Sequence, residues 1–211
     1  MLMSKDRSIP DFLSSDKASD LLEAPYKTNL RDRLILGLMV KCGLRAGELV
    51  PSARQHTKRD KDTKEIIDFK KWISKGIRRQ DFEFDEIRQF ARLKIVGGKG
   101  AKDRYVPIPL DLALLFKDYT KDMEIDQPVF DLSVWSIAPL VRRYAERAGI
   151  EEKIWPHKLR HTFAVNALKA GWNIKEVQEV LGHEHLSTTE KYLHITDEEL
   201  ATTHKRHPLP Y

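Results

Sequence analysis

At 211 residues the chain is long enough for one large domain or a domain and a half, with a properly buried core. Hydrophobic residues at 41% beside 33% charged ones exclude a disordered tail, and a single cysteine, Cys42, excludes an intrachain disulfide framework and points to a reducing compartment. No apolar run approaches the about 20 residues that span a bilayer, "MLMSKDRSIPDF" lacks the apolar core of a secretory signal, and a net charge of +5 favours a polyanionic partner without requiring one.

In chain order, "DFLSSDKASDLLEA" offers Ser14 or Ser15 as the cap of a helix carrying Leu21 and Leu22. "NLRDRLILGLMVKCG" follows, apolar at Leu34, Leu38 and Cys42 and again at Ile35 and Met39. That broad face predicts a buried helix ending at Gly43. "LRAGEL" then sets Arg45 and Glu48 three residues apart. An arginine near a buried helix end needs an anion, either Glu48 or one from outside.

Residues 51–80 change character. From Lys58 to Arg79 there are nine basic residues against four acidic ones. Ile66, Phe69, Ile73 and Ile77 recur at helical spacing with Trp72 beside them, which predicts an amphipathic helix with a cationic face. Such a segment is either a solvated insertion or a nucleic-acid contact. "DFEFDE" reverses the local charge. "QFARLKIVGGKGAKDRYVPIP" predicts a hairpin, Leu93 and Ile95 alternating with charged neighbours before Gly97, Gly98 and Gly100 bracket Lys99. A phosphate-binding loop is excluded because GxxxxGK[ST] is absent, and a lysine in a turn is by itself usually solvated.

The C-terminal third carries the chemistry. "WPHKLRHTFAVNALKAG" predicts a helix entered through Pro156 and closed by Gly171, with His157, Arg160, His161 and Ala164 on one stripe and Leu159, Phe163 and Ala167 on another. "NIKEVQEVLG" predicts a second helix, its capping box Asn173 and Glu176 and its stop Gly182, so His183 lies just past a helix end. "STTEKYLHI" predicts a third, short helix capped by Ser187 and Glu190 and carrying Tyr192, and Thr196 with Glu199 repeats the pattern. The fold class expected is mainly α with a small antiparallel hairpin, α+β.

Three readings compete for the histidines. His157 and His161 at i, i+4, with His183 and His185, could begin a metal site, but HExxH and a cysteine pair are absent and Arg160 would repel the ion. Taken singly, each is an ordinary core or capping histidine. The third reading is a phosphoryl-transfer site made of side chains alone. A tyrosine hydroxyl attacks once a base or nearby cations lower its pKa of about 10. Arginines and histidine stabilise the charge gathering on non-bridging oxygens, and a lysine protonates the leaving alkoxide.

"GLRAGEL", "GGKGAKDRYVPIP", "HKLRHTFAV" and "LGHEHLSTTEKY", in that order, resemble the tyrosine recombinase (phage integrase) family, especially its Xer-like, archaeal and mobile-element members. The resemblance runs from about Phe12 to His194 and includes a histidine nine positions before the tyrosine. It implies that Arg45 and Arg160 bind the scissile phosphate with His183, that Lys99 is the acid toward the leaving 5′-oxygen, that His157 accepts the tyrosine proton, and that Tyr192 attacks phosphorus to leave a 3′-phosphotyrosyl link. Glu48 would support Arg45, His161 would be structural, and His185 at most a minor contact. No cofactor, neither ATP nor a metal ion, is expected, because the covalent link retains the bond energy. Relaxation by resealing the original strand, as in a type IB topoisomerase, and an idle DNA-binding module remain the alternatives.

The expected partner is double-stranded DNA, with self-association (a tetramer on DNA, a monomer or dimer free), no membrane, and room for an accessory or partner recombinase; the expected location is cytoplasmic, at the nucleoid. Expected DNA contacts are Lys58, Arg59, Lys70, Lys71, Lys75, Arg78 and Arg79 of the basic insertion 51–80, with Lys102 and Arg104 of the hairpin. Residues 1–211 are expected to form a single catalytic domain without the family's N-terminal core-binding domain, with segment 196–211 packing in trans.

Overall fold

The computed structural model describes residues 11–59, 63, 66–97 and 103–183, the side chains of residues 53–59 and 66–73 excepted. Helix α1 (Ser15–Glu23) starts at Ser14, whose hydroxyl accepts the Lys17 amide. Helix α2 (Leu30–Cys42) is the centre of the molecule: Leu34, Ile35, Leu36, Leu38 and Met39 are fully buried. Each such side chain contributes about 1.5–3 kcal/mol when removed from water. Asn29 caps its start by accepting the Asp32 amide at 3.1 Å, and Gly43, at φ +68°, ends it in the left-handed region.

The short helix α3 (Ala46–Leu49) follows, and here the sequence expectation for residues 51–80 fails. In place of an amphipathic helix the chain forms an antiparallel hairpin, β1 (Pro51–Arg59) with β2 (Ile66–Lys75), pairing Arg54 with Lys71 and His56 with Phe69. The helical spacing relied on Ile77, which lies beyond Gly76, a residue at φ +68° that no helix would pass through. What remains, Ile66, Ile67, Phe69, Trp72 and Ile73, is β-branched and aromatic, the composition of a strand. The hairpin leaves and re-enters the domain at one point: the Ile77 amide donates to Leu49 O at 3.2 Å, and a Cβ on Gly76 would stand 2.7 Å from Pro51 N.

A second sheet holds β3 (Phe82–Asp85), β4 (Phe90–Ile95) and β5 (Arg104–Ile108) in that order, all antiparallel. The expected hairpin is β4–β5; β3 is the "FEFD" stretch whose alternation, Phe82 and Phe84 on one side, carries the strand signal. Phe82 stacks on Phe116 of α4 (Leu110–Thr120), with ring centroids 4.4 Å apart. Helices α5 (Val134–Arg147), α6 (Pro156–Lys169) and α7 (Ile174–Leu181) complete the α+β fold. Around α2 pack α6, α4, α1 and β5. Among the described residues no helix is long and apolar enough to cross a membrane.

Buried charge ties the helices together. Asp32, with a fully buried side chain, accepts from Tyr144 Oη at 2.7 Å, Arg143 Nη2 at 2.8 Å and Arg31 Nε at 2.9 Å. Burial alone would raise its pKa, but the hydrogen bonds from Tyr144, Arg31 and Asn29 and the charge of Arg31 outweigh it and hold the carboxyl below the usual range. Lys158, 1% exposed, reaches Asp11 and Glu152 and anchors the first described residues to α6.

Candidate active site

Arg45 and His183, two of the candidate site residues, follow closely on helix ends. Gly43 closes α2 two residues before Arg45, and Gly182, at φ +63°, closes α7 one residue before His183. Arg160 joins the two turns. Its side chain is buried at 1% exposure, with Nη1 donating to Gly43 O at 2.7 Å and Nη2 donating to Leu181 O. The carbonyl ends of two helices thus face one guanidinium, where their partial negative charge stabilises the cation. The fit is close: a Cβ on Gly43 would stand 2.5 Å from Phe163 Cδ1 and 2.8 Å from Leu181 Cδ2.

Arg45 caps α3 and is partly exposed, its side chain at 42%. Its Nη1 donates to Glu48 Oε1 at 2.9 Å, while its backbone amide donates to Glu48 Oε2 at 2.8 Å. Glu48 is therefore the anionic partner that the arginine requires. Burial pushes the Glu48 carboxyl up, but hydrogen bonds and charge from Arg104 and Arg45 outweigh it and leave the carboxyl below its ordinary value. His183 is tethered on both sides of its peptide: its amide donates to Gln178 O at 3.2 Å, and its carbonyl accepts Gln178 Nε2 at 3.1 Å. His157 is exposed at the start of α6, its ring edge-on to that of buried His161, with centroids 4.4 Å apart.

Arg45, Arg160 and His183 are thereby hung on one hydrogen-bonded scaffold, with Glu48 beside it. Lys99, Tyr192 and His185 lie outside the described residues, as do Lys102 and the segment 196–211. Of the expected DNA contacts, Lys58, Arg59, Lys70 and Lys71 lie on β1 and β2, and Lys75 is exposed at the end of β2. Two other arginines hold a loop: Arg78 Nη1 donates to Asp126 O at 2.6 Å and Arg79 Nη1 to Met123 O. Arg104 is turned inward. It pairs with Ile95 and stays in phase with the buried Val106 and Ile108, so strand alternation already places it on the core side.

A mainly helical domain with a three-stranded sheet, its cationic side chains gathered at helix ends, has the architecture of a tyrosine recombinase catalytic domain. The chain belongs to the phage integrase family, whose sequence model matches residues 11–199. It is 38% identical over 199 residues to a tyrosine recombinase of Pseudothermotoga lettingae, covering 92% of this chain and 59% of that one. It is 33% identical over 204 residues to the tyrosine recombinase XerA of Thermococcus kodakarensis, covering 92% and 61%. The crystal structure of a XerA recombinase superposes with a TM-score of 0.70 at 27% identity, over 97% of this chain and 67% of that one. The chain thus spans about 60% of the length of the curated relatives it matches.

Proposed function

We propose that this chain cuts and rejoins DNA strands site-specifically through a 3′-phosphotyrosyl intermediate on Tyr192. Arg45, Arg160 and His183 bind the scissile phosphate, Lys99 protonates the leaving 5′-oxygen, and His157 takes the tyrosine proton. The observation that carries this reading is the bridge from Gly43 O through Arg160 to Leu181 O. It draws the Arg45 turn and the His183 turn to one place, where the charge of a pentavalent phosphorane could be met by donors that need little reorganisation. Arg160 donates to both carbonyls in the free chain, so the plane of its guanidinium is set before DNA arrives.

The reading is supported by relatives described as tyrosine recombinases and by family membership over residues 11–199. Double-stranded DNA is the partner, bound with self-association at the nucleoid, and the β1–β2 hairpin adds contacts to its backbone. A nicked suicide duplex incubated with the chain in EDTA tests the proposal. A covalent adduct is expected, absent in Tyr192→Phe and lowered by about 100- to 1,000-fold in rate in Arg45→Ala, since one donor to the developing charge contributes that much. Binding without any adduct would instead indicate an idle DNA-binding module. Relaxation of supercoiled plasmid without recombinant product would indicate a topoisomerase-like activity.

A further inference from the structure

Arg104 is basic, stands next to the glycine-rich tip and has the look of a DNA contact in the sequence. Its geometry points elsewhere. The side chain is 12% exposed. Nε donates to Val180 O at 2.7 Å, in the last turn of α7, and Nη2 donates to Glu48 Oε2 at 3.0 Å. That same oxygen accepts the Arg45 amide, and its twin accepts Arg45 Nη1. The arginine stem passes beneath Gly182, where a Cβ would stand 3.0 Å from both Cδ and Nε. One guanidinium therefore touches the carboxylate that orients Arg45 and the turn that presents His183. These contacts join positions 56 and 76 residues apart in the chain, so no local preference could supply them.

We propose that Arg104 is a positioning residue for strand transfer: it locks Glu48, and through it Arg45, to the Gly182 turn, and so fixes Arg45 and His183 relative to one another without touching DNA. The planar fork is needed because two acceptors are met at once from different nitrogens; a lysine, a point charge on a flexible stem, serves one of them at a time. Gly182 follows from the same packing, since any larger residue would press on the stem and would also strain a left-handed backbone.

The inference rests on the strand-transfer reading, so its test has one arm without DNA. In the free full chain, NMR of the arginine Nε–H groups and histidine rings is compared between wild type, Arg104→Met and Arg104→Lys. Displaced or broadened Arg45 and His183 signals are expected in Arg104→Met, with Arg104→Lys intermediate and serving alone should the methionine variant not fold. Unchanged signals would overturn the proposal whatever DNA does. With the suicide duplex at saturation, the single-turnover rate of Arg104→Met is expected to fall by about 100-fold, as misplacement by an ångström can cost, while the DNA Kd stays within about twofold. Combining it with Glu48→Gln should cost no more than the worse single change, because both act on one network. A raised Kd with an unchanged saturating rate would mark Arg104 as a DNA contact and defeat the proposal. Should wild type give no adduct, the strand-transfer reading fails, and the free-chain arm still decides whether Arg104 holds Arg45 and His183.

Discussion

At the residue scale, the Gly43 position makes two demands that only a glycine satisfies. Its φ of +68° lies where side chains are strained, and its missing Cβ is the space taken by Phe163 and Leu181. Gly43→Ala should therefore destabilise the chain by about 2–4 kcal/mol, read as a lower urea midpoint with an unchanged slope. It should also slow DNA cleavage, because Gly43 O is an acceptor for Arg160. Asp32 gives the pH prediction. Its folded-state pKa is depressed, so its contribution is fully present above the ordinary aspartate value near 3.9 and is lost as pH falls through the lower folded value. Asp32→Asn should cost about 3–5 kcal/mol at pH 7, as expected for breaking a buried ion pair, and less at pH 3. Denaturant titrations at the two pH values check this; an equal deficit at both would show that the carboxylate charge is not what matters.

At the element scale the β1–β2 hairpin is the part the domain can spare. Its two ends meet at the Leu49–Ile77 hydrogen bond, so replacing Pro51–Lys75 by a short glycine link leaves that closure intact. The shortened chain should unfold within a few degrees of the parent while binding DNA more weakly. The slope of log affinity against log salt should become shallower by about 0.9 for each phosphate contact removed. Unchanged affinity and slope would assign the hairpin no role in DNA binding. Ile66, Phe69 and Ile73 satisfy a helical period and a β composition alike, and only Gly76, which bars Ile77 from the same helix, separates the two. Pro139 lies inside α5, which tertiary packing sustains through Ile137, Leu140 and Val141.

At the scale of the whole molecule, what could be read from sequence was whatever has a local cause. The caps at Ser14 and Asn173, the stops at Gly43 and Gly182, and the β4–β5 hairpin all follow from residues a few positions apart. The pairing of Arg45 with Glu48 was legible for the same reason. The arrangement that makes a site was not. Arg160 meets Gly43 O across 117 residues and Leu181 O across 21, and nothing in "HKLRHTF" states that an arginine will unite two helix ends. Arg104 shows the limit most clearly: its charge suggested a surface, whereas its phase with Val106 and Ile108 placed it inward. The order of four motifs supplied through family resemblance what local physics could not. The measurement that tests the account most directly is peptide mapping, by mass spectrometry, of the adduct trapped on the suicide duplex in EDTA. The account predicts a nucleotide joined through its 3′-phosphate to the tryptic peptide that begins at Tyr192; an adduct on any other residue, a 5′-linkage, or no adduct at saturating DNA would contradict it.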